Sequence, residues 1–291
     1  ACGTKPEGGH SPICERMEVN TRIRLGGLGG LILLFAVATL ARQPEWNGVR
    51  NKINHTDTIG NRIKHAVSNQ VQLVHSHFPV ESLDTTTSIW IYLPSNYSST
   101  RNRYPVIYFL GGEHAFSDSL SPDNKEWLMD EALDSLNQTK APKAIVVAVH
   151  RFFSDTVQVD GASSFLMNNL KPYIDSVYRT QKESAVVAGS GQMAAWALYT
   201  TLRYPEVFKK AGIFSPPADI FPYLKNHQLQ GKGHKGMLFF YEGNEMDDLQ
   251  ELTDNIGMHS SALIYSTHHQ NPKRHESPMG GWFPEFYHWI L

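Results

Sequence analysis

Residues 184–198 read Ser184-Ala185-Val186-Val187-Ala188-Gly189-Ser190-Gly191-Gln192-Met193-Ala194-Ala195-Trp196-Ala197-Leu198. An apolar run, a glycine-flanked turn and a second apolar run rich in alanine follow one another, which predicts strand, sharp turn and helix. That is the layout of a nucleophile elbow, where Gly-x-Ser-x-Gly sets a serine at the tip of a strained turn and the flanking glycines let strand and helix pack closely. Here the tip is Gly191. Glycine has no oxygen to attack a carbonyl, so the sequence predicts the scaffold of an elbow without its nucleophile.

Working outward, strands and helices alternate. Strands are expected over Val71–Val80, Ser88–Leu93, Pro105–Leu110, Ala144–Val149, 184–188, Ala211–Phe214, Gly236–Tyr241 and Ala262–Ser266. Helices are expected over Glu126–Leu136, Phe165–Tyr178, the stretch after the elbow, Leu249–Ile256 and Pro284–Ile290. This order implies βαβ units, hence an α/β fold with a mostly parallel sheet covered on both faces.

A hydrophobic content of 41% with 19% charged residues supports a sizeable folded core. The formal charge of −2 offers no electrostatic footprint for nucleic acid, so no nucleic-acid partner is expected. Both cysteines, Cys2 and Cys14, fall in the N-terminal tail, leaving the globular part without a disulfide framework or a thiolate metal site. His75 with His77, and His268 with His269, lack a third ligand at metal-binding spacing, so neither metal nor cofactor is expected.

Residues 1–24 read as a polar tail, 25–41 as an uncharged apolar stretch, 42–67 as a linker and 68–291 as the main domain. As a helix the 17 residues of Leu25–Ala41 would reach about 26 Å, close to the hydrocarbon thickness of a bilayer. We read the stretch as an uncleaved signal anchor, with a cleaved signal peptide ending near Ala36-Val37-Ala38 as the alternative. Lys5, Arg16, Arg22 and Arg24 precede it, which by the positive-inside rule places the tail in the cytoplasm and the domain on the periplasmic or extracytoplasmic side, an organellar membrane being a further possibility.

Several segments carry a resemblance. Tyr204-Pro205-Glu206-Val207-Phe208 through Ala211-Gly212-Ile213-Phe214-Ser215-Pro216 is its most specific stretch. Tyr104–Leu110, Pro172-Tyr173-Ile174-Asp175, Tyr178-Arg179-Thr180 and the tail from His275-Glu276-Ser277 to Trp289 support it. Over residues 68–291 the chain resembles the esterase branch of the α/β-hydrolases that includes enterochelin-esterase-like and S-formylglutathione-hydrolase-like enzymes. The resemblance implies an α/β-hydrolase fold.

An ester hydrolase needs a nucleophile, a histidine, a carboxylate and backbone donors for the oxyanion. His275 matches the family's histidine. Glu245, after the strand ending near Tyr241, is the acid by position, with Asp247 and Asp248 as substitutes. The oxyanion donors would be the amides of Gly112 or Glu113 and of Gln192. The nucleophile alone has no candidate at its proper place; Ser190 is the alternative one residue earlier.

Further departures surround the same cleft. Met193 and Ala194 stand where the family has glycines, His150-Arg151-Phe152-Phe153 replaces a polar loop, and Asn169 replaces an acidic residue. The expectation is a membrane-anchored, catalytically inactive esterase-like protein serving as a structural or accessory subunit of a membrane complex. Two alternatives stay open: an active ester hydrolase using Ser190 or water activated by His275, and a non-catalytic module holding a small acyl or siderophore-like ligand.

Overall fold

The computed structural model describes residues 19–25, 67–112, 115–116, 127–153, 158–216, 235–242, 246–269 and 283–291. Nine strands form one sheet: β1 (Val19–Leu25), β2 (Val71–Val80), β3 (Thr85–Tyr92), β4 (Tyr104–Leu110), β5 (Ile145–Val149), β6 (Thr180–Ser190), β7 (Lys210–Phe214), β8 (Met237–Glu242) and β9 (Leu263–His269). Their spatial order is β1-β9-β8-β7-β6-β4-β5-β3-β2. The six strands β4 to β9 run parallel, and β1, β2 and β3 pair antiparallel at the two edges. The mostly parallel α/β sheet expected from the sequence is present.

Strand composition explains the order. β5 reads Ile-Val-Val-Ala-Val and is buried at every position, as a central strand covered on both faces must be. β2, at the outer edge, is largely exposed, with only Phe78 and Val80 buried, and carries Pro79, which cannot donate to a ladder. Its register slips between Leu73 and His75 and again before Phe78.

Helices α1 (Met129–Asn137) and α6 (Phe283–Ile290) cover one face of the sheet. They pack on Ile107, Phe109, Val146, Ala148, Val186 and Phe239. The other face carries α2 (Val159–Phe165), a wide π turn (Leu166–Leu170), α3 (Lys171–Val177), α4 (Gln192–Arg203) and α5 (Met246–His259). Their core partners include Val106, Tyr108, Val147, Val187, Ile213 and Phe240. Where the sequence predicted one helix over Phe165–Tyr178, the structure has helix, π turn and helix beginning at Val159. Gly161 hid that start, because glycine weakens a helical pattern; a Cβ there would lie 2.6 Å from Leu83 Cδ2, so the Leu83 side chain packs over it.

The N-terminal reading also differs. Residues 19–24 were assigned to the polar tail and Leu25 to the start of the apolar helix, whereas the structure pairs Val19–Leu25 with β9, Val19 opposite His269 and Leu25 opposite Leu263. Val19, Thr21, Ile23 and Leu25 alternate with Asn20, Arg22 and Arg24, a period of two that marks a strand. Overall polarity masked that alternation. Residues 26–41 lie outside the described residues, and among those described no helix is long and apolar enough to cross a membrane.

Candidate active site

The elbow appears where the sequence placed it. β6 ends at Ser190, Gly191 turns the chain, and α4 begins at Gln192. Gly191 has φ 57° and ψ −129°, a conformation that L residues enter only under strain. Its N–H donates to the Phe214 carbonyl at 2.9 Å, and its carbonyl accepts from the Ala194 N–H at 2.9 Å, so β7 and α4 hold the turn from both sides. A Cβ added to Gly191 would meet no heavy atom of the described residues within 4 Å. The backbone seat of the nucleophile is therefore built, and it carries no side chain.

Close packing sets the neighbouring residues. A Cβ on Gly189 would lie 2.4 Å from the Met193 carbonyl oxygen, so strand and helix meet there only because residue 189 is glycine. Met193 is buried in the core below the helix. A Cβ on Gly111 would stand 2.9 Å from Met193 Cγ, which means that this methionine packs over the glycine ending β4. The space that two glycines would leave between β4 and α4 is filled by that side chain.

Oxyanion donors can be judged by what their amides already do. The Gly111 N–H is spent on the Val149 carbonyl at 2.9 Å. Gly112 lies so close to β5 that a Cβ would sit 2.6 Å from the Ala148 Cβ, and its carbonyl accepts from the Ala115 N–H at 3.1 Å. Gln192 is exposed and first in α4, where an N–H has no acceptor within its own helix. Gly112 follows the end of β4 and Gln192 follows the elbow tip, while Glu113 lies outside the described residues. Ser190 is half-buried, sits in the last rung of β6 opposite Phe214, and shares by strand alternation the face of Val186 and Ala188. It is one residue short of the tip.

Glu245 and His275 also lie outside the described residues, but the strands leading to them do not. β8 ends at Glu242 and β9 at His269, at the same carboxyl edge of the sheet as the ends of β4 and β6. In parallel α/β sheets ligands bind at that edge. The order β9-β8-β7-β6-β4 brings the chain just before His275, just before Glu245, the elbow and the oxyanion turn to one end of the sheet. A cavity of about 440 Å³ between Lys171, Asp175, Lys182 and Lys209 opens near the other end, beside the starts of β6 and β7.

Sequence reasoning missed an acidic cluster on the helix that follows the oxyanion turn. Met129 opens α1 with its N–H on the Ala115 carbonyl at 3.1 Å. Asp130 is buried and accepts the Ser68 N–H at 2.8 Å. Asp134 accepts the Ser68 hydroxyl at 2.8 Å and the Tyr92 hydroxyl at 2.6 Å. Burial first, and then the neighbouring Glu131 charge, push the Asp130 carboxyl up to about 8. Burial, then the bond to Asp134, raises the Tyr92 phenol as well. These groups face the start of the domain at Ser68 and act as structure. The histidine pair on β2 divides between two partners, His75 Nε2 with the Tyr173 hydroxyl at 2.8 Å and His77 Nδ1 with the Ser76 hydroxyl at 3.0 Å.

Among solved structures, an IroE-like serine hydrolase from Shewanella oneidensis superposes with a TM-score of 0.58 at 18% identity, over 76% of this chain and 79% of that one. The BES protein from Bacillus cereus gives 0.56 at 15% identity, over 81% and 99%. The enterobactin esterase of Shigella flexneri gives 0.56 at 18% identity, over 78% and 60%. At these identities the likeness establishes the α/β fold. No curated protein sequence matches the chain. The family model described as "Putative esterase" matches residues 80–246, from the end of β2 through the elbow to the first residue of α5. With more than half of its length under that model, the chain belongs to this esterase family.

Proposed function

We propose that this protein is an esterase-family domain that has lost hydrolysis and serves as a structural or accessory subunit of a membrane complex. The apolar residues 26–41 that follow β1 carry it on the membrane. The observation that carries the reading is Gly191: elbow backbone and no nucleophile. Met193 filling the gap between β4 and α4 supports it, because that space then has no use for catalysis. Removing a member of a catalytic triad leaves only the residual contribution of the oxyanion hole and binding.

The test is p-nitrophenyl acetate hydrolysis by the full chain in mild detergent, alongside Gly191→Ser and His275→Ala. Wild-type turnover no higher than that of His275→Ala supports an inactive domain. Turnover that disappears in His275→Ala overturns the reading, and Ser190 is then the nucleophile to mutate.

A further inference from the structure

At the end of the sheet opposite the elbow, the cavity of about 440 Å³ lies between α3, the first residues of β6 and the turn that leads from α4 to β7. Its volume is that of a small-molecule pocket. Lys171 stands in its wall and is only 8% exposed. An ammonium has three N–H donors. Lys171 Nζ gives one to Asp175 Oδ2 at 2.6 Å and one to the Lys182 carbonyl at 3.1 Å, and the third has no acceptor among the described residues. The other Asp175 oxygen already accepts the Thr180 hydroxyl at 2.6 Å. Tyr108 is in the same position: its hydroxyl is buried and makes no hydrogen bond among the described residues. Burial first, and then the Asp175 charge, hold that phenol well above its ordinary value, so Tyr108 lies within electrostatic reach of the cavity wall. Buried polar groups are nearly always paired. Two buried donors near Asp175 therefore call for an acceptor that the described chain does not supply.

The rest of the wall defines the molecule that would supply it. Three ammonium groups, Lys171, Lys182 and Lys209, face three carboxylates, Asp175, Glu183 and Glu206. Lys171 and Asp175 answer one another, while the other four are exposed and form no ion pair among the described residues. A simple anion would meet Glu183 and Glu206 and a simple cation would meet the lysines, and like charges brought together are penalised. A molecule carrying both charges avoids both penalties. Met167 and Val207, half-buried against the core, add an apolar surface to the same wall. We propose that this cavity binds a small zwitterion with an apolar body, of the α-amino acid class, its carboxylate taking the spare donors of Lys171 and Tyr108 and its ammonium facing Glu183 and Glu206. The site is separate from the elbow and does not depend on the loss of hydrolysis.

Isothermal titration of the full chain in mild detergent tests both charges with L-leucine, isocaproate and isoamylamine, since the last two keep the leucine skeleton and lack its ammonium or its carboxylate. Leucine is expected to bind, and each of the others to bind about tenfold more weakly, the usual loss for one charged hydrogen-bonding group. Tyr108→Phe leaves the ring on Phe208 and removes only a hydroxyl without a partner. Glu206→Gln lies on the exposed rim, so both variants are expected to fold as the wild type does. Each is expected to weaken leucine binding by about tenfold. Isocaproate or isoamylamine binding as tightly as leucine overturns the zwitterion. A variant that binds leucine as the wild type does overturns the contact assigned to that residue, and no leucine binding by the wild type overturns the site.

Discussion

Gly191 combines a backbone conformation suited to a nucleophile with a side chain that cannot be one. A serine there would meet none of the described residues within 4 Å of its Cβ, but it would hold φ 57° at a strain of about 1–3 kcal/mol. Gly191→Ser is therefore expected to lower thermal stability by that amount in calorimetry. It is also expected to create a fluorophosphonate adduct at residue 191 if the remaining catalytic groups still reach the tip, while the wild type takes no label.

Asp130 makes a second prediction at this scale. Its folded value, about 8, lies above the ordinary carboxyl value of 3.8, so the folded state binds the extra proton between about pH 4 and pH 8. Its contribution is complete below that window and is lost as pH rises through it. Asp130→Asn keeps an acceptor for the Ser68 N–H and cannot ionise. The stability of wild type minus that of Asp130→Asn, from urea titrations, is expected to fall as pH rises through the window. A flat difference would mean that Asp130 is ionised in the fold.

At the scale of elements, the turn between β6 and α4 was legible because its signal is local. A strand, a glycine that must turn and a helix occupy consecutive residues, and each leaves its own compositional mark. The acidic face of α1 was not, because its meaning depends on Ser68 and Tyr92, 62 and 42 residues away from their partners Asp130 and Asp134. Met193 is intermediate. Its size was visible in the sequence, but its packing against Gly111 belongs to the β4–α4 contact. Met193→Ala is expected to cost about 2–5 kcal/mol as a cavity between these elements, measured by denaturant unfolding, with no gain of ester hydrolysis. Turnover appearing in that variant would show that Met193 had been the obstacle and that another nucleophile acts.

For the whole molecule, the sheet order decides what the site could be. The ends of β4, β6, β8 and β9 share one edge, so residues more than a hundred positions apart in sequence come to one end of the sheet. The order also gives β9 an edge role that depends on β1. Removal of residues 1–25 is expected to leave the domain folded and to increase its self-association through the exposed β9 edge, followed by light scattering against the full chain. Equal scattering from the two would indicate that the edge does not attract strands.

The sequence by itself determined the α/β alternation, the central strands and the elbow with its missing oxygen, since burial pattern and turn chemistry act over a few consecutive residues. Tertiary structure alone decided the filling of the β4–α4 gap by Met193, the clasp of Asp130 and Asp134 on Ser68, and the placing of Val19–Leu25 on β9. Each of these joins segments far apart along the chain. Which distant segments meet is settled by the packing of the whole sheet, and no local pattern encodes it.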